Sequence, residues 1–274
     1  MKVLEARIAS SHLDLHRDKL TVEALESLVS QINAQYIPVN MEHDPRIPPA
    51  GRFVSACLER LEDGEYAVLG TAEVFEDGDC IPIGDPSRTM PIREVSDSLL
   101  HLIDDRSFSS PRDQAQLEDI RNLLGAMKET DEKKALDPTS VLIVAGALAT
   151  PFAAGFLGKA GSDTWDAVRN KLAAIINKKR QERGECLLVF RQNLVHDGEP
   201  VLVETILTNA SEADIDQYFA TGLLHLDQIV PRLLTHHKGL RRIVFEFSSG
   251  TLTLTFGVRR DAVPMNIKLD TDKK

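Results

Sequence analysis

Residues 36–74 read YIPVNMEHDPRIPPAGRFVSACLERLEDGEYAVLGTAEV, and this stretch decides how the first part of the chain is read. Phe53–Leu61 and Tyr66–Val74 alternate apolar and polar side chains and flank Glu62-Asp63-Gly64-Glu65. Asp-Gly between two such runs predicts a hairpin, because both central positions of the favoured two-residue turn need positive φ. Tyr36–Met41 supplies a further strand. Working outward, residues 3–10 alternate weakly and read as a strand. Thr21 then stands as an N-cap before Leu25, Leu28, Val29 and Ile32, whose spacing predicts an amphipathic helix over 22–33. The Gly, Pro and Asp content of 76–91 predicts a loop. Glu94–Ile103 is expected to be helical, and Ser107–Ser110 a short strand.

The chain changes character beyond residue 112. Residues 113–137 are mostly charged or Ala-rich and read as a helix followed by a solvated linker. From Pro138 to Gly158 no residue is charged. A run of that length can cross a bilayer as a helix, which takes ~20 residues. Pro151 interrupts it, however, and its small residues suit close helix packing. A bent or broken helical element buried against protein is therefore expected in preference to a membrane segment. An amphipathic helix follows at 163–182 and ends in Lys178-Lys179-Arg180. The last third reads ββαββ: hairpins turn at Asp197-Gly198 and Ser249-Gly250, with a helix over 211–237 between them. The expected class is α+β. Its parts are an N-terminal, mostly antiparallel β-barrel domain over 1–115, a charged helix and linker over 116–140, an apolar and amphipathic helical segment over 141–183, and a small α+β domain over 184–274.

Bulk properties narrow the function classes. A formal net charge of -10 repels phosphate backbones, so no nucleic-acid partner is expected. Cys57, Cys80 and Cys186 form no CxxC pair, which argues against a zinc site built on them. Their odd number suits a reducing compartment. The opening MKVLEARIASSHLDLHRD has no apolar core of a secretory signal, so a cytoplasmic setting is expected, and no cofactor or metal. The alternating His12, Asp14, His16 and Asp18 invite a metal reading only as a minority alternative.

The order of pieces from Ile8 to Val74 resembles the protease domain of tailed-phage prohead (capsid-maturation) proteases. It runs from an opening strand through an Asp14-x-x-x-Asp18 turn and a helix to a strand delivering His43-Asp44. A strand opened by Gly51-Arg52 and the Asp63-Gly64 hairpin follow. The resemblance covers about residues 1–112. It implies a β-barrel shared with herpesvirus assemblins, a serine nucleophile and a histidine base. Carried over, His43 is the base, since imidazole titrates near neutrality and can take a serine proton. Alignment puts Ser109 at the nucleophile position, with Ser107 on the same strand face. His16 or Asp14 is the candidate to orient the base. The sequence departs from the family at Ser110-Pro111, where an apolar residue and glycine are usual, and Pro111 has no N–H to offer an oxyanion. The resemblance implies hydrolysis of a capsid scaffold, a partner protein or the chain's own linker during virion maturation. The same departure suits an inactive relative that binds or oligomerises. A membrane-acting effector is the third alternative. A homo-oligomer is compatible with each reading.

Overall fold

The computed structural model describes residues 1–13, 19–41, 44–76, 81–92, 100–105, 108, 110–131, 139–145 and 149–267. They form two compact units of mixed α+β structure. The first takes residues 1–41, 47–91 and 258–265, and the second takes the rest, including 44–46.

The first unit is built on a four-stranded antiparallel sheet. Its strands are β1 (Lys2–Ser10), β2 (Ile37–Val39), β3 (Gly51–Arg60) and β4 (Tyr66–Val74), in the order β1-β4-β3-β2. The Asp63-Gly64 turn joins β3 to β4 as expected, with Gly64 at φ 86. Helix α1 (Val22–Ala34) is capped by Thr21, whose Oγ1 accepts from the Ala24 amide at 3.2 Å. It buries Leu25 and Ile32 against β3 and β4. Asn33 clips the helix end to β3: its Nδ2 donates to the Ala56 carbonyl, and its Oδ1 accepts from the Ala56 amide. Gly51 is required by close approach, because a Cβ there would fall 2.5 Å from the Glu73 carbonyl oxygen.

The expected barrel does not close. Among the described residues β1 and β2 are the two edges of an open sheet. The physical reason is strand supply. β2 pairs over only three residues, and four strands are fewer than the roughly five to eight that small barrels use.

The second unit carries the larger sheet. Its strands are β5 (Leu100–Asp105), β6 (Met127–Asp131), β7 (Thr139–Ala145), β8 (Cys186–His196), β9 (Glu199–Thr208), β10 (Leu240–Ser248) and β11 (Thr251–Arg259). The order is β11-β10-β9-β8-β7-β5-β6, and the two-residue β12 (Pro264–Met265) follows on β11. The last two residues of β11 and all of β12 belong to the first unit. Parallel pairs (β9 with β10, β7 with β8, β5 with β6) alternate with antiparallel ones (β8 with β9, β5 with β7). The helices are α2 (Pro111–Leu124), α3 (Ala149–Arg183), α4 (Glu212–Gln217) and α5 (Leu223–His236). A π-helical turn, Tyr218–Gly222, lies between the last two.

The ββαββ reading of 186–259 holds, with α4 and α5 as the crossover that lets β9 and β10 run parallel. Both hairpins turn through consecutive positive-φ residues, Asp197-Gly198 and Ser249-Gly250. Three expectations are corrected. Leu100–Ile103 is strand, not helix. Leu102 and Ile103 are buried on successive positions, the mark of a strand covered on both faces, whose apolar run periodicity alone cannot tell from a helix. Met127–Asp131 is a strand on the sheet edge where linker was expected. The uncharged run is not a broken helix. Its β-branched half forms β7, inserted between β5 and β8. Pro151 then falls third in α3, within the first turn, where the missing N–H has no helical partner to lose. No helix among the described residues is long and apolar enough to cross a membrane.

The core of the second unit lies between its sheet and helices. Helix α3 presents Trp165, Val168, Leu172, Ile175 and Ile176 along one buried stripe. Trp165 anchors it, its ring centroid 4.4 Å from that of Phe219. Phe190 of β8 stacks on Tyr218 at 4.7 Å, and Phe247 of β10 meets the same ring edge-on.

Candidate functional site

Asp14, His16, His43, Ser107 and Ser109 lie outside the described residues, as does Asp18. What the structure gives is the anchoring of their neighbours in the chain.

Before the acidic turn, His12 Nε2 lies 2.7 Å from Asp63 Oδ2, and its Nδ1 lies 3.3 Å from Ser10 Oγ. The Ser11 hydroxyl donates to Glu65 and accepts from the Tyr66 amide at 2.8 Å. After the turn, Lys19 Nζ donates to Glu65 Oε1 at 2.8 Å. The chain on both sides of 14–18 is therefore tied to the Asp63-Gly64 hairpin. His12 is engaged with Asp63. Among the described residues no three of His, Cys, Asp and Glu gather to hold a metal.

Around the expected nucleophile segment, Ser110 is the N-cap of α2 and not a strand residue. Its Oγ accepts from the Asp113 amide at 3.1 Å, and Pro111 occupies the first helical position. Local sequence explains this: Ser-Pro followed by an acid at the third position is a helix-start signal. Asp113 is buried, and its carboxylate accepts from Lys178 and from Lys179, the latter at 2.8 Å. Burial works to raise its pKa, but the hydrogen bonds from Lys178, Lys179 and Ser110 outweigh burial and hold it at about 2. Phe108 is fully buried, with the Lys179 ammonium 5.0 Å from its ring centroid. Gln114 Nε2 donates to the Phe108 carbonyl at 2.7 Å and to Asp104 Oδ2 at 3.0 Å. Asp104 and Arg121, both buried, form an ion pair beside it. Phe108 and Ser110, which bracket Ser109 in sequence, are thus both fixed.

Next to His43 in sequence, Asp44-Pro45-Arg46 forms a strap on the second unit's sheet. The Arg46 guanidinium donates to Asp44 (2.6 Å), to both oxygens of Glu185 (2.7 and 2.8 Å) and to Thr208 Oγ1 (3.3 Å). The hydrogen bonds it donates to the Asp44 and Glu185 carboxylates raise its pKa above the usual arginine range. The Asp44 carboxylate also accepts from the Arg46 amide at 2.9 Å. Pro45 offers its carbonyl to Arg242 Nη2 at 3.2 Å. Arg242 Nε in turn donates to Glu204 Oε2 at 2.5 Å, and Arg191 donates to Glu204 Oε1 at 2.7 and 2.9 Å. Glu204 is wholly buried. Burial alone would raise its pKa, but Arg242 and Arg191 overcome burial and hold it at about 2.

The Gly51-Arg52 pair belongs to another closed network, in the first unit. Arg52 donates to Glu73 at 2.7 Å and to the Asp261 carbonyl at 2.9 Å. The Tyr36 ring has Arg52 and Arg88 guanidinium carbons within 4.6 and 4.4 Å of its centroid. Arg88 crosses to the Ile32, Gln35 and Val54 carbonyls, tying the end of α1 to β3.

His101 lies on β5 opposite Met127 and Val144. His236 uses Nδ1 on the Arg232 carbonyl in the last turn of α5, a local helix-end role. Sequence reasoning passed over Arg46, Glu185, Glu204, Arg191 and Arg242. Only Arg191 and Glu204 carried any signal, as opposite charges placed across the predicted Asp197-Gly198 hairpin. Comparison with protein families, with characterised proteins and with solved structures finds no match to this chain.

Proposed function

We propose that the chain is a serine peptidase of the prohead-maturation kind, acting in the cytoplasm on a protein substrate. His43 is the general base, and Ser109 the nucleophile, with Ser107 the alternative. The single observation that supports this reading is the order of elements in the first unit. An opening strand, a capped helix, a short strand leading toward His43, a strand begun by Gly51-Arg52 and the Asp63-Gly64 hairpin follow one another as the resemblance requires. In the reaction, His43 takes the Ser109 proton as Oγ attacks a peptide carbonyl. His43 then returns the proton to the leaving amine, and water releases the acyl group in the reverse sense. His16 or Asp14 would orient the imidazole. Cleavage of the chain's own residues 127–131 would require that paired strand to leave β5.

A second reading is favoured by one specific observation. Ser110 and Pro111 start α2, so the residues after Ser109 enter a helix instead of continuing a nucleophile strand. An inactive relative that binds protein needs no more than that. A fluorophosphonate probe with peptide mapping separates the two. Labelling of Ser109 that is lost in Ser109→Ala and suppressed in His43→Ala is the expected result. Absence of label from every serine of 107–110, with no cleavage of scaffold-like substrates, rejects the peptidase and leaves the binding module.

A further inference from the structure

Strand β1 is the exposed edge of the first unit's sheet. Residues 2–7 are exposed, including Val3 at 58% and Leu4 at 41%. An edge strand offers a row of backbone donors and acceptors, and an apolar one invites pairing with another strand. The β1 sequence says which strand. Ala6 pairs with Gly70 on β4, and a Cβ on Gly70 would meet Ile8 Cδ1 at 3.1 Å. Ile8 therefore lies on the Ala6 face, which Leu4 shares by alternation. Glu5 and Arg7 lie on the opposite face. The register shift against β4 falls after Arg7, between Arg7 and Ala9.

We propose that β1 is a homodimerisation edge, on which a second copy of this chain pairs antiparallel about a two-fold axis at Ala6. This goes beyond the peptidase reading and does not rest on it. In that register Glu5 of each copy faces Arg7 of the other, and Leu4 faces Ile8, each pair occurring twice. The small Ala6 meets itself on the axis. The neighbouring symmetric registers fail. Centring on Glu5 sets Glu5 against Glu5, centring on Arg7 sets Arg7 against Arg7, and centring on Leu4 sets Glu5 against Val3 and Lys2 against Ala6, matching no opposite charges. A strand of unrelated sequence has no reason to offer an acid and a base in this mirrored order.

Sedimentation velocity on the full chain across a dilution series tests it. The expected result is a reversible monomer–dimer equilibrium. Glu5→Arg should weaken it by about tenfold or more, because two attractive cross-strand pairs become repulsive. The double swap Glu5→Arg with Arg7→Glu should restore it. Circular dichroism of each variant verifies that β1 stays folded. In a Cys57→Ser background, Ala6→Cys should form a disulfide between the two copies at position 6 under mild oxidation, located by peptide mapping. A chain that stays monomeric throughout, a dimer indifferent to Glu5→Arg, or a dimer with no cross-link at position 6 overturns the proposal.

Discussion

Glu204→Gln tests whether the buried Arg191–Glu204–Arg242 triad holds the second unit's sheet together. The substitution keeps the shape and an acceptor but removes the one negative charge between two guanidiniums. Arg191 and Glu204 face each other across β8 and β9, and Arg242 reaches the same carboxylate from β10. Three adjacent strands therefore share one counter-charge. Removing one member of a buried, hydrogen-bonded charge set costs about 3–5 kcal/mol, because the remaining charges stay desolvated. An independent route gives a similar size. The carboxyl is held at about 2 against an ordinary 4.5. A depression of that size corresponds to about 3 kcal/mol of stability at neutral pH. The sign is fixed by the direction. A lowered folded-state pKa contributes fully above pH 4.5 and is lost as pH falls toward 2. The chain's one tryptophan, Trp165, is buried in this same unit, so its fluorescence reports the unit's unfolding in urea. The midpoint should drop with little change in slope. The variant should also lose part of the wild type's acid sensitivity between pH 4.5 and 2. A loss under about 1 kcal/mol, or an unchanged acid profile, refutes the triad as a source of stability.

Ser110→Ala removes a helix cap and should cost about 1 kcal/mol, read from the same urea midpoint. It should leave fluorophosphonate labelling of Ser109 intact, since the Ser110 hydroxyl is engaged with Asp113. Glu185→Gln deprives Arg46 of one of its two carboxylate partners, so amide exchange at Asp44 and Arg46 should quicken while exchange in β10 is unchanged; unchanged protection at both would show that the strap is held otherwise. Pro151→Ala should shift stability by less than about 1 kcal/mol, far below the roughly 3 kcal/mol of an interior helical proline. A large gain in stability would place the start of α3 earlier than observed.

Local chemistry made much of the fold legible. Asp63-Gly64, Asp197-Gly198 and Ser249-Gly250 each announced a turn because the backbone there needs positive φ. Thr21 with Leu25, Leu28 and Ile32 announced α1 because one cap and one apolar face suffice. The errors share a cause. Leu100–Ile103 and Val141–Val144 lie on strands with a neighbour on each side, and a continuous apolar run carries no period to distinguish strand from helix. β6, with the sequence MKETD, reads as solvated linker because an edge strand needs few apolar side chains. Barrel closure depends on how many strands pair and in what order, which short segments do not encode one by one.

The polar networks were illegible for a further reason. Arg46 meets Glu185 across 139 residues of sequence, and Arg52 meets Asp261 across 209. Such pairs exist only once register is set. Arginine dominates them because its planar fork can satisfy two acceptors at once. Arg46 bridges Asp44 and Glu185, Arg52 bridges Glu73 and Asp261, and Arg242 bridges Glu204 and a main-chain carbonyl. The described buried charges nearly cancel: Asp44, Asp104, Asp113, Glu204 and Asp261 against Arg52, Arg121, Lys179 and Arg241. Among the described residues, burial therefore hides little of the net charge of -10. Any partner must approach an acidic protein whose described buried cations are already engaged. Association driven by charge then has to come from locally mixed stretches, and Glu5-Ala6-Arg7 on the open edge of β1 is one, with both signs two residues apart and facing outward on the same side.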